Sequence, residues 1–219
     1  MFEKNKIKRP DVCAECLKDV RIISQPSCMR CGKQLEDEIQ ELCYDCKNKK
    51  FEFERGVAAF SYSKQMKRSM YAFKYNNRRE YGKFYSKVIC EEYNNVIRSW
   101  EADVLIPVPL HRARFVKRGY NQAQVVADLI GKKLGIAVDS KSLIRSRNTK
   151  PQKELTDKER NNNIENAFQI SSNSIEYNKV ILVDDIYTTG TTINECAKVL
   201  KHSGVEAVYF VSVCIGNGF

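Results

Sequence analysis

The sequence predicts an α/β protein with a mostly parallel sheet flanked by helices, preceded by a small cysteine-rich module. Strand-like and helix-like segments alternate from about residue 100 onward, which is the pattern of right-handed βαβ crossovers. Residues 180–183 are four β-favouring apolar residues, as in an interior strand that is covered on both faces. Six cysteines form three CxxC pairs within the first 50 residues. We therefore predict a module over residues 1–50 and an α/β domain over residues 51–219.

The elements of the α/β domain follow from apolar spacing and from turn residues. In chain order they are a strand after Phe51, a helix, turn and helix over 64–97, a strand over 103–106, a helix over 120–134, a strand over 142–145, the strand over 180–183, a helix over 193–202 and a strand over 205–214. Gly135 and Gly204 stop the two helices that precede them.

Composition predicts a polyanionic ligand and a cytosolic protein. The 219 residues include 37 Lys and Arg against 27 Asp and Glu, and the net charge of +10 suits pyrophosphate or nucleic acid as a partner. No apolar run approaches about 18 residues, and the polar N terminus has no signal-peptide pattern, so we predict no membrane insertion. The oligomeric state stays open.

The N-terminal cysteines predict a structural zinc site. In a reducing compartment, CxxC pairs are typical of zinc knuckles, and a tetrahedral site needs two pairs. The pairs are Cys13 and Cys16, Cys28 and Cys31, and Cys43 and Cys46. Both gaps between pairs are eleven residues, so spacing allows either neighbouring combination.

We select Cys28, Cys31, Cys43 and Cys46 as the zinc ligands. In CMRCG, Gly32 lets the turn fold back so that its N–H groups face sulfur. Cys13 and Cys16 are then alternative ligands or half of an incomplete second site. Because four thiolates leave no position for water, zinc here would support the fold rather than catalyse a reaction.

A strand, two acids and a hydroxyl-rich turn follow one another in VILVDDIYTTGTT, residues 180–192. Asp184 and Asp185 come at the carboxyl end of the predicted strand, where open α/β sheets bind ligands, and adjacent carboxylates suit a diol or a metal-bound sugar. A Thr- and Gly-rich turn that opens a helix suits a phosphate monoester. Its residues are Thr188, Thr189, Gly190, Thr191 and Thr192. The alternative is an Asp-rich turn with a Thr cap.

This run resembles the phosphoribosyl-pyrophosphate (PRPP) motif of type I phosphoribosyltransferases, and it matches every fixed position of that motif. The resemblance implies a type I phosphoribosyltransferase fold. It also implies that Asp184 and Asp185 hold the ribose hydroxyls and that residues 188–192 cradle the 5′-phosphate.

A basic segment follows the strand predicted over 103–106. Its four cationic residues, Arg112, Arg114, Lys117 and Arg118, are predicted to lie in one short loop that can clamp pyrophosphate. Pro107 and Pro109, on either side of Val108, stiffen the start of this loop. We expect Gly119 to adopt an unusual backbone angle, and His111 to act as a loop or capping residue rather than as a base.

The segment PVPLHRARFVKRGYNQA resembles the PVPL…RGFNQ motif of the ComF (competence protein F) family, with Tyr120 where many members have Phe. A second similar stretch, over 145–168, matches that family at Arg145, Arg147, Thr149, Gln152, Leu155, Arg160, Asn163 and Phe168. Many members have a further CxxC before the pair equivalent to Cys13 and Cys16. Its absence here favours the later four cysteines as the zinc ligands.

The resemblance implies displacement of pyrophosphate from C1 of PRPP by an unknown acceptor. Mg²⁺ would bridge the ribose and pyrophosphate oxygens, Arg118 and the loop with Arg112 would offset the leaving charge, and Asp184 or Asp185 would stabilise the cationic sugar. Polar residues 146–162, with Arg147, Lys150 and Gln152, would form a flap that excludes water. The alternative is a disordered surface loop.

A second function stays open, since ComF proteins are implicated in DNA uptake alongside a helicase-like partner. The chain would then handle single-stranded DNA or act as an adaptor in natural transformation; a PRPP-sensing regulator is a third possibility. Residues 64–87 hold eight basic residues and one acidic residue, which is typical of a solvated helix face. Tyr71, Phe73 and Tyr75, which lie among them, are predicted to belong to the core.

Overall fold

A five-stranded parallel sheet forms the centre of the fold, which confirms the prediction of a mostly parallel sheet. The structure, a computed structural model, describes residues 17–147, 166–171 and 175–216. The central strands are β1 (Arg55–Ser61), β2 (Val104–Pro107), β3 (Ala137–Val138), β6 (Lys179–Tyr187) and β7 (Ala207–Ile215), in the spatial order β1-β7-β6-β2-β3. A separate antiparallel pair consists of β4 (Leu143–Arg145) and β5 (Phe168–Ile170).

Helices cover both faces of this sheet. They are α1 (Tyr44–Asn48), α2 (Lys64–Tyr75), α3 (Tyr81–Ser99), α4 (Arg112–Arg118), α5 (Gln122–Leu134) and α6 (Thr191–His202). One core lies under α2, α3 and α5, and the other lies under α6, the β4–β5 pair and the cysteine module. Among the described residues, no helix is long and apolar enough to cross a bilayer.

Strand β6 extends further than the apolar run predicts. Residues 180–183 are fully buried, which confirms the predicted interior strand. Pairing with β7 continues past Asp184↔Ser212 as far as Tyr187↔Ile215. The predicted strand end was therefore wrong, because backbone pairing persists where the apolar side chains stop. Both aspartates lie inside the strand.

In a regular strand, consecutive side chains point to opposite faces of the sheet, and this alternation is interrupted in three neighbouring strands of the central sheet. In β1, Ala59 and Phe60 both belong to the core under α3, and in β7, Val213 and Cys214 do the same. In β6, Tyr187 belongs to the opposite core, which also contains the cysteine module. The interrupted alternation thus directs Tyr187 toward that module.

The segment predicted as a basic loop contains a short helix, α4, which corrects that prediction. The ring nitrogen Nδ1 of His111 accepts a hydrogen bond from the N–H of Ala113 at 3.2 Å, so His111 caps the helix as expected. Gly119 ends the helix with φ 76°, in the left-handed region that the sequence predicted for it. Arg, Lys and Ala are good helix formers, and the two caps make the short helix possible.

Most of the remaining elements lie close to their predicted positions, but α1, β3 and β5 were not predicted. The two helices α2 and α3 flank a turn over residues 76–80, and α5 ends at Gly135, whose φ is 74°. Helix α6 starts at Thr191, two residues before its predicted start. The reason is Gly190, whose φ of 80° turns the chain directly into the helix.

The cysteine module covers the outer edge of β1. The N–H of Ile23 donates to the carbonyl of Ala59 at 3.0 Å, and the N–H of Gly56 donates to the carbonyl of Arg30 at 2.8 Å. Gly32 approaches the strand so closely that a Cβ there would lie 3.0 Å from the Cα of Val57. The module therefore satisfies backbone groups that an edge strand would otherwise expose.

Candidate functional site

Four cysteines of the N-terminal module lie close enough together to hold one metal ion. The sulfurs of Cys28, Cys31, Cys43 and Cys46 lie within 4.8 Å of one another, and all four residues are buried. Cys31 Sγ and Cys43 Sγ are 3.7 Å apart, close to the roughly 3.8 Å that tetrahedral zinc with bonds of about 2.3 Å requires. Cys13 and Cys16 lie outside the described residues.

The local backbone supports this cluster in the way that CMRCG predicts. Gly32 has φ 73°, and its N–H donates to the carbonyl of Cys28 at 2.8 Å, which closes the knuckle. The four thiols affect one another, since the same sulfur contacts that lower the pKa of Cys28 raise the pKa of Cys31 and of Cys46. The donor set fits zinc and leaves no open position for catalysis.

The two acids of β6 have different partners. Asp185 Oδ1 lies 2.9 Å from Lys74 Nζ, and the two side chains are only 13% and 18% exposed. The N–H of Asp185 donates to Asp184 Oδ1 at 2.8 Å. Lys74 comes from the last turn of α2, inside the segment predicted to be a solvated basic face. That prediction was wrong for Lys74, which neutralises one of the two carboxylates.

Asp184 is held in an environment that disfavours its charge. Burial and the neighbouring Asp185 raise the pKa of Asp184 to about 7, against the opposing effects of the Asp185 N–H, Lys74 and Arg145. At neutral pH the carboxyl is therefore divided between its two forms. A cationic ligand would favour its ionised form.

Arg145 is a site residue that sequence reasoning did not assign. It ends β4, and its guanidinium carbon lies 5.2 Å from the centroid of the Phe168 ring. Burial and the nearby charge of Arg114 lower the pKa of Arg145 to about 10, while Cys196 and Asp184 oppose that change. Its guanidinium therefore acts electrostatically on both Asp184 and α4. The sequence signals were a cation at the end of a predicted strand and the match of Arg145 to the ComF family segment, and neither gave it a role.

Residues 188–192 form a pocket between the diacid and the start of α6. The lining residues are Asp184, Ile186, Tyr187, Thr188, Gly190, Thr191, Thr192 and Ile193. Gly190 is the N-cap of α6, and no side chain caps this helix terminus. Thr189 Oγ1 and Thr191 Oγ1 are 2.9 Å apart. The hydroxyls, the backbone amides and the positive end of the helix can together hold a phosphate.

The proline-rich start of the basic segment lies beside the diacid strand. Pro107 pairs with Val183, and the N–H of Val108 donates to the carbonyl of Val183 at 2.9 Å. Pro109 follows at the carboxyl edge of β2. The predicted pyrophosphate loop therefore leaves the sheet one strand away from Asp184.

The cations of this segment occupy different environments. Arg118 donates to Gln122 Oε1 at 2.8 Å and to the hydroxyl of Tyr75 at 3.2 Å, so its guanidinium is fixed against α2 and α5. Arg112 is exposed in the first turn of α4. In the predicted flap, Arg147 is exposed, while Lys150 and Gln152 lie outside the described residues.

Two aromatic residues that were predicted to belong to the core lie on the surface. Tyr71 is 58% exposed and Tyr75 is 47% exposed, whereas Phe73 is fully buried as predicted. The Tyr71 and Tyr75 rings lie 4.9 Å apart, and the Arg118 guanidinium is 5.0 Å from the Tyr75 centroid. Helical spacing explains the error, because residues four apart share one face and Phe73 lies on the opposite face.

Comparison with known proteins matches two domain families to this chain. A double zinc ribbon domain family matches residues 3–47, and a phosphoribosyl transferase domain family matches residues 95–218. Competence protein F of Haemophilus influenzae is 30% identical over 92% of this chain and 89% of its own length.

Two further relatives align over most of the chain. Competence protein ComFC of Bacillus subtilis is 27% identical over 91% of this chain and 82% of its own length. DNA utilization protein YhgH of Salmonella typhimurium is 27% identical over 93% of this chain and 89% of its own length.

The raised pKa of Asp184 predicts a specific pH dependence of stability without ligand or added metal. The folded-state pKa is about 7, above the value of about 3.9 for an unfolded aspartate. Stability from the protonated carboxyl is therefore fully present below about pH 4 and is lost as pH rises through about 7. Relative to Asp184→Asn, wild type should lose about 1–2 kcal/mol of unfolding free energy between about pH 5 and about pH 8.

Urea unfolding across that pH range measures the difference. Glu206→Gln, at an exposed position, should keep the pH dependence of wild type. Identical pH profiles for wild type and Asp184→Asn would contradict the prediction.

Proposed function

The chain belongs to the ComF (competence protein F) family and combines a four-cysteine zinc ribbon with a phosphoribosyltransferase domain, and on that premise we propose that it binds PRPP and transfers the phosphoribosyl group to an acceptor with release of pyrophosphate. One observation carries the proposal. Asp184 and Asp185 lie in the carboxyl half of β6, separated by two residues from the pocket of residues 188–192, and Asp184 itself lines that pocket. We propose that the protein acts in the cytosol.

Each part of PRPP has a matching group of residues in this proposal. The 5′-phosphate binds at Thr188, Thr189, Gly190, Thr191 and Thr192, and the ribose hydroxyls bind at Asp184 and Asp185. The pyrophosphate binds along Pro107, Val108 and Pro109, with Arg112 and Arg118 as its cations. Mg²⁺ that accompanies PRPP beside Asp184 and Asp185 would supply positive charge that offsets the leaving pyrophosphate.

In this reaction, the main role of the protein is to stabilise the charges that develop in the transition state. As the bond from C1 to pyrophosphate lengthens, the sugar becomes cationic and the leaving group gains negative charge. Asp184, in its ionised form, stabilises the sugar, while Arg118 and the nearby Arg145 offset the leaving charge. Lys74 Nζ pairs with Asp185 Oδ1 at 2.9 Å beside Asp184. The flap with Arg147, Lys150 and Gln152 stays a prediction from the sequence, because Lys150 and Gln152 lie outside the described residues.

Calorimetric titration of PRPP with Mg²⁺ tests this function. We expect wild type to bind, and Asp184→Asn and Asp185→Asn each to weaken binding by about tenfold or more, since each loses a charged acceptor for a ribose hydroxyl. Glu206→Gln is the surface control and should bind like wild type. Absence of PRPP binding by folded wild type would eliminate the proposal.

We also propose that Cys28, Cys31, Cys43 and Cys46 bind one structural zinc. Metal analysis of purified variants tests the ligand set. Cys28→Ser should lose zinc and stability, because three thiolates hold the metal less tightly and the ribbon depends on it. Cys90→Ser, at a buried thiol of α3, is the control and should keep zinc. Loss of zinc from Cys13→Ser alone would refute this choice of ligands.

A second candidate function is the handling of single-stranded DNA, directly or as an adaptor for a helicase-like partner. The names of the relatives point to competence and DNA utilization. The observation that favours direct contact is the exposed pair Tyr71 and Tyr75 with Arg118 against it. Aromatic faces beside cations are what bases stack on in proteins that bind single strands.

Fluorescence anisotropy with a labelled oligothymidine tests this candidate. Tyr71→Ala and Tyr75→Ala should each weaken binding about tenfold, because each removes a stacking surface. Tyr44→Ala, at a tyrosine that is 78% exposed on α1, should bind like wild type. If wild type does not bind at low salt, the direct-contact function is wrong.

A further inference from the structure

A stack of aromatic rings connects the zinc ribbon with the phosphate pocket. The Phe51 and Phe53 rings are stacked with centroids 4.8 Å apart, and Tyr187 meets Phe53 edge to face at 6.3 Å. Tyr187 also lies flat on Phe210 at 4.8 Å. Phe51 and Phe53 come directly after the ribbon in the chain, and Tyr187 directly precedes the phosphate pocket.

Arg30 attaches this stack to the metal-binding knuckle. It lies between Cys28 and Cys31, and its guanidinium carbon is 5.9 Å from the centroids of both Phe51 and Phe53. Its Nη2 donates to the carbonyl of Phe51 at 3.0 Å. The position of the Phe51 backbone is therefore linked to the fold of the knuckle.

The side chains of Phe51 and Tyr187 pack directly against Gly190, and we call these two rings the floor under Gly190. A Cβ at Gly190 would lie 2.5 Å from Tyr187 Oη and 2.9 Å from Phe51 Cε1, so both rings lie directly against this glycine. Tyr187 is 3% exposed, and its hydroxyl has no hydrogen-bond partner among the described residues. What it gives Gly190 is therefore steric support. Gly190 in turn begins α6 with φ 80°.

A backbone contact ties the same segment to α6. The N–H of Glu52 donates to Asn194 Oδ1 at 2.7 Å, within the first turn of that helix. The segment that follows the ribbon therefore contacts the phosphate pocket through a ring under Gly190 and through a hydrogen bond to the helix start. Both contacts constrain the backbone amides that would face a phosphate.

We propose that Phe51 and Arg30 are positioning residues for the 5′-phosphate subsite, so that the zinc ribbon serves as the support of the phosphate pocket. The inference rests on the proposed PRPP function. A phosphate binds to several amides at once, and a displacement of Gly190 by a fraction of an ångström misaligns them. The contribution of Phe51 is therefore specific to ligands that carry the 5′-phosphate.

Binding measurements with three ligands distinguish a positioning role of Phe51 and Arg30 at the 5′-phosphate subsite from a general effect on stability. PRPP with Mg²⁺ and ribose 5-phosphate both carry the 5′-phosphate, whereas pyrophosphate does not. In Phe51→Ala and Arg30→Met we expect about tenfold weaker binding of the first two and unchanged binding of pyrophosphate, with one zinc per chain retained. Phe51→Leu, which keeps an apolar side chain under Gly190, should recover most of the affinity.

Lys201→Ala is the matched control. Lys201 Nζ pairs with Glu54 Oε1 at 2.7 Å, so it also joins this segment to α6, but near the helix C terminus. Its affinities for all three ligands should equal those of wild type. Equal weakening in Lys201→Ala, equal weakening for pyrophosphate, or unchanged binding of ribose 5-phosphate by Phe51→Ala would overturn the inference.

Amide hydrogen exchange without ligand distinguishes failure of this inference from failure of the PRPP function. Exchange over residues 188–192 should accelerate in Phe51→Ala and not in Lys201→Ala, because only the first loses the floor under Gly190. If wild type binds no PRPP, the proposed function fails, yet this pattern still supports the link. Unchanged exchange in Phe51→Ala overturns the link, whatever the ligand.

Discussion

The pairing of β6 with β2 on one side and β7 on the other determines where the rest of the site lies. Because β6 stays paired with β7 through Tyr187, its two acids have a fixed backbone although they carry no apolar side chains. Pairing with β2 brings Pro107 and Val108 to the same edge. Parallel strands end together, so the diacid, the proline-rich segment and the start of α6 converge without any loop having to fold back.

Electrostatics then determines what this edge can bind. Asp185 is compensated by Lys74, while Asp184 shares its surroundings with Arg145 and stays only partly ionised near neutral pH. Cations lie on both faces of the sheet around one pair of acids. In the proposed function, a sugar phosphate with a metal would present both signs of charge to these residues. The same cations make the neighbouring surface attractive to other polyanions.

Local signals predicted most of the fold and the central part of the site. The apolar run 180–183, the Thr- and Gly-rich turn and the glycine after CMRC each specify their structure through neighbouring residues, and the structure places them as expected. Lys74 and Arg145 were missed because their roles depend on carboxylates that are remote in sequence. Helix α4 was missed because a short helix depends on its caps as much as on composition. Tyr71 and Tyr75 were wrongly predicted to be buried, because aromatic residues on an exposed face of a helix have the same local sequence pattern as core residues.

The strand order has a consequence for how the molecule assembles. Strand β1, which carries the zinc ribbon on its outer edge, meets the rest of the sheet through β7, the last strand in the chain. Such pairing between sequence-distant strands is slow, because a long loop must close before any contact rewards it. The ribbon and β1 are adjacent in the chain and can meet early during synthesis, yet β1 cannot join the sheet until β7 inserts between β1 and β6. A chain that is interrupted before β7 therefore lacks the strand that connects the ribbon-covered β1 to the strand with the two acids.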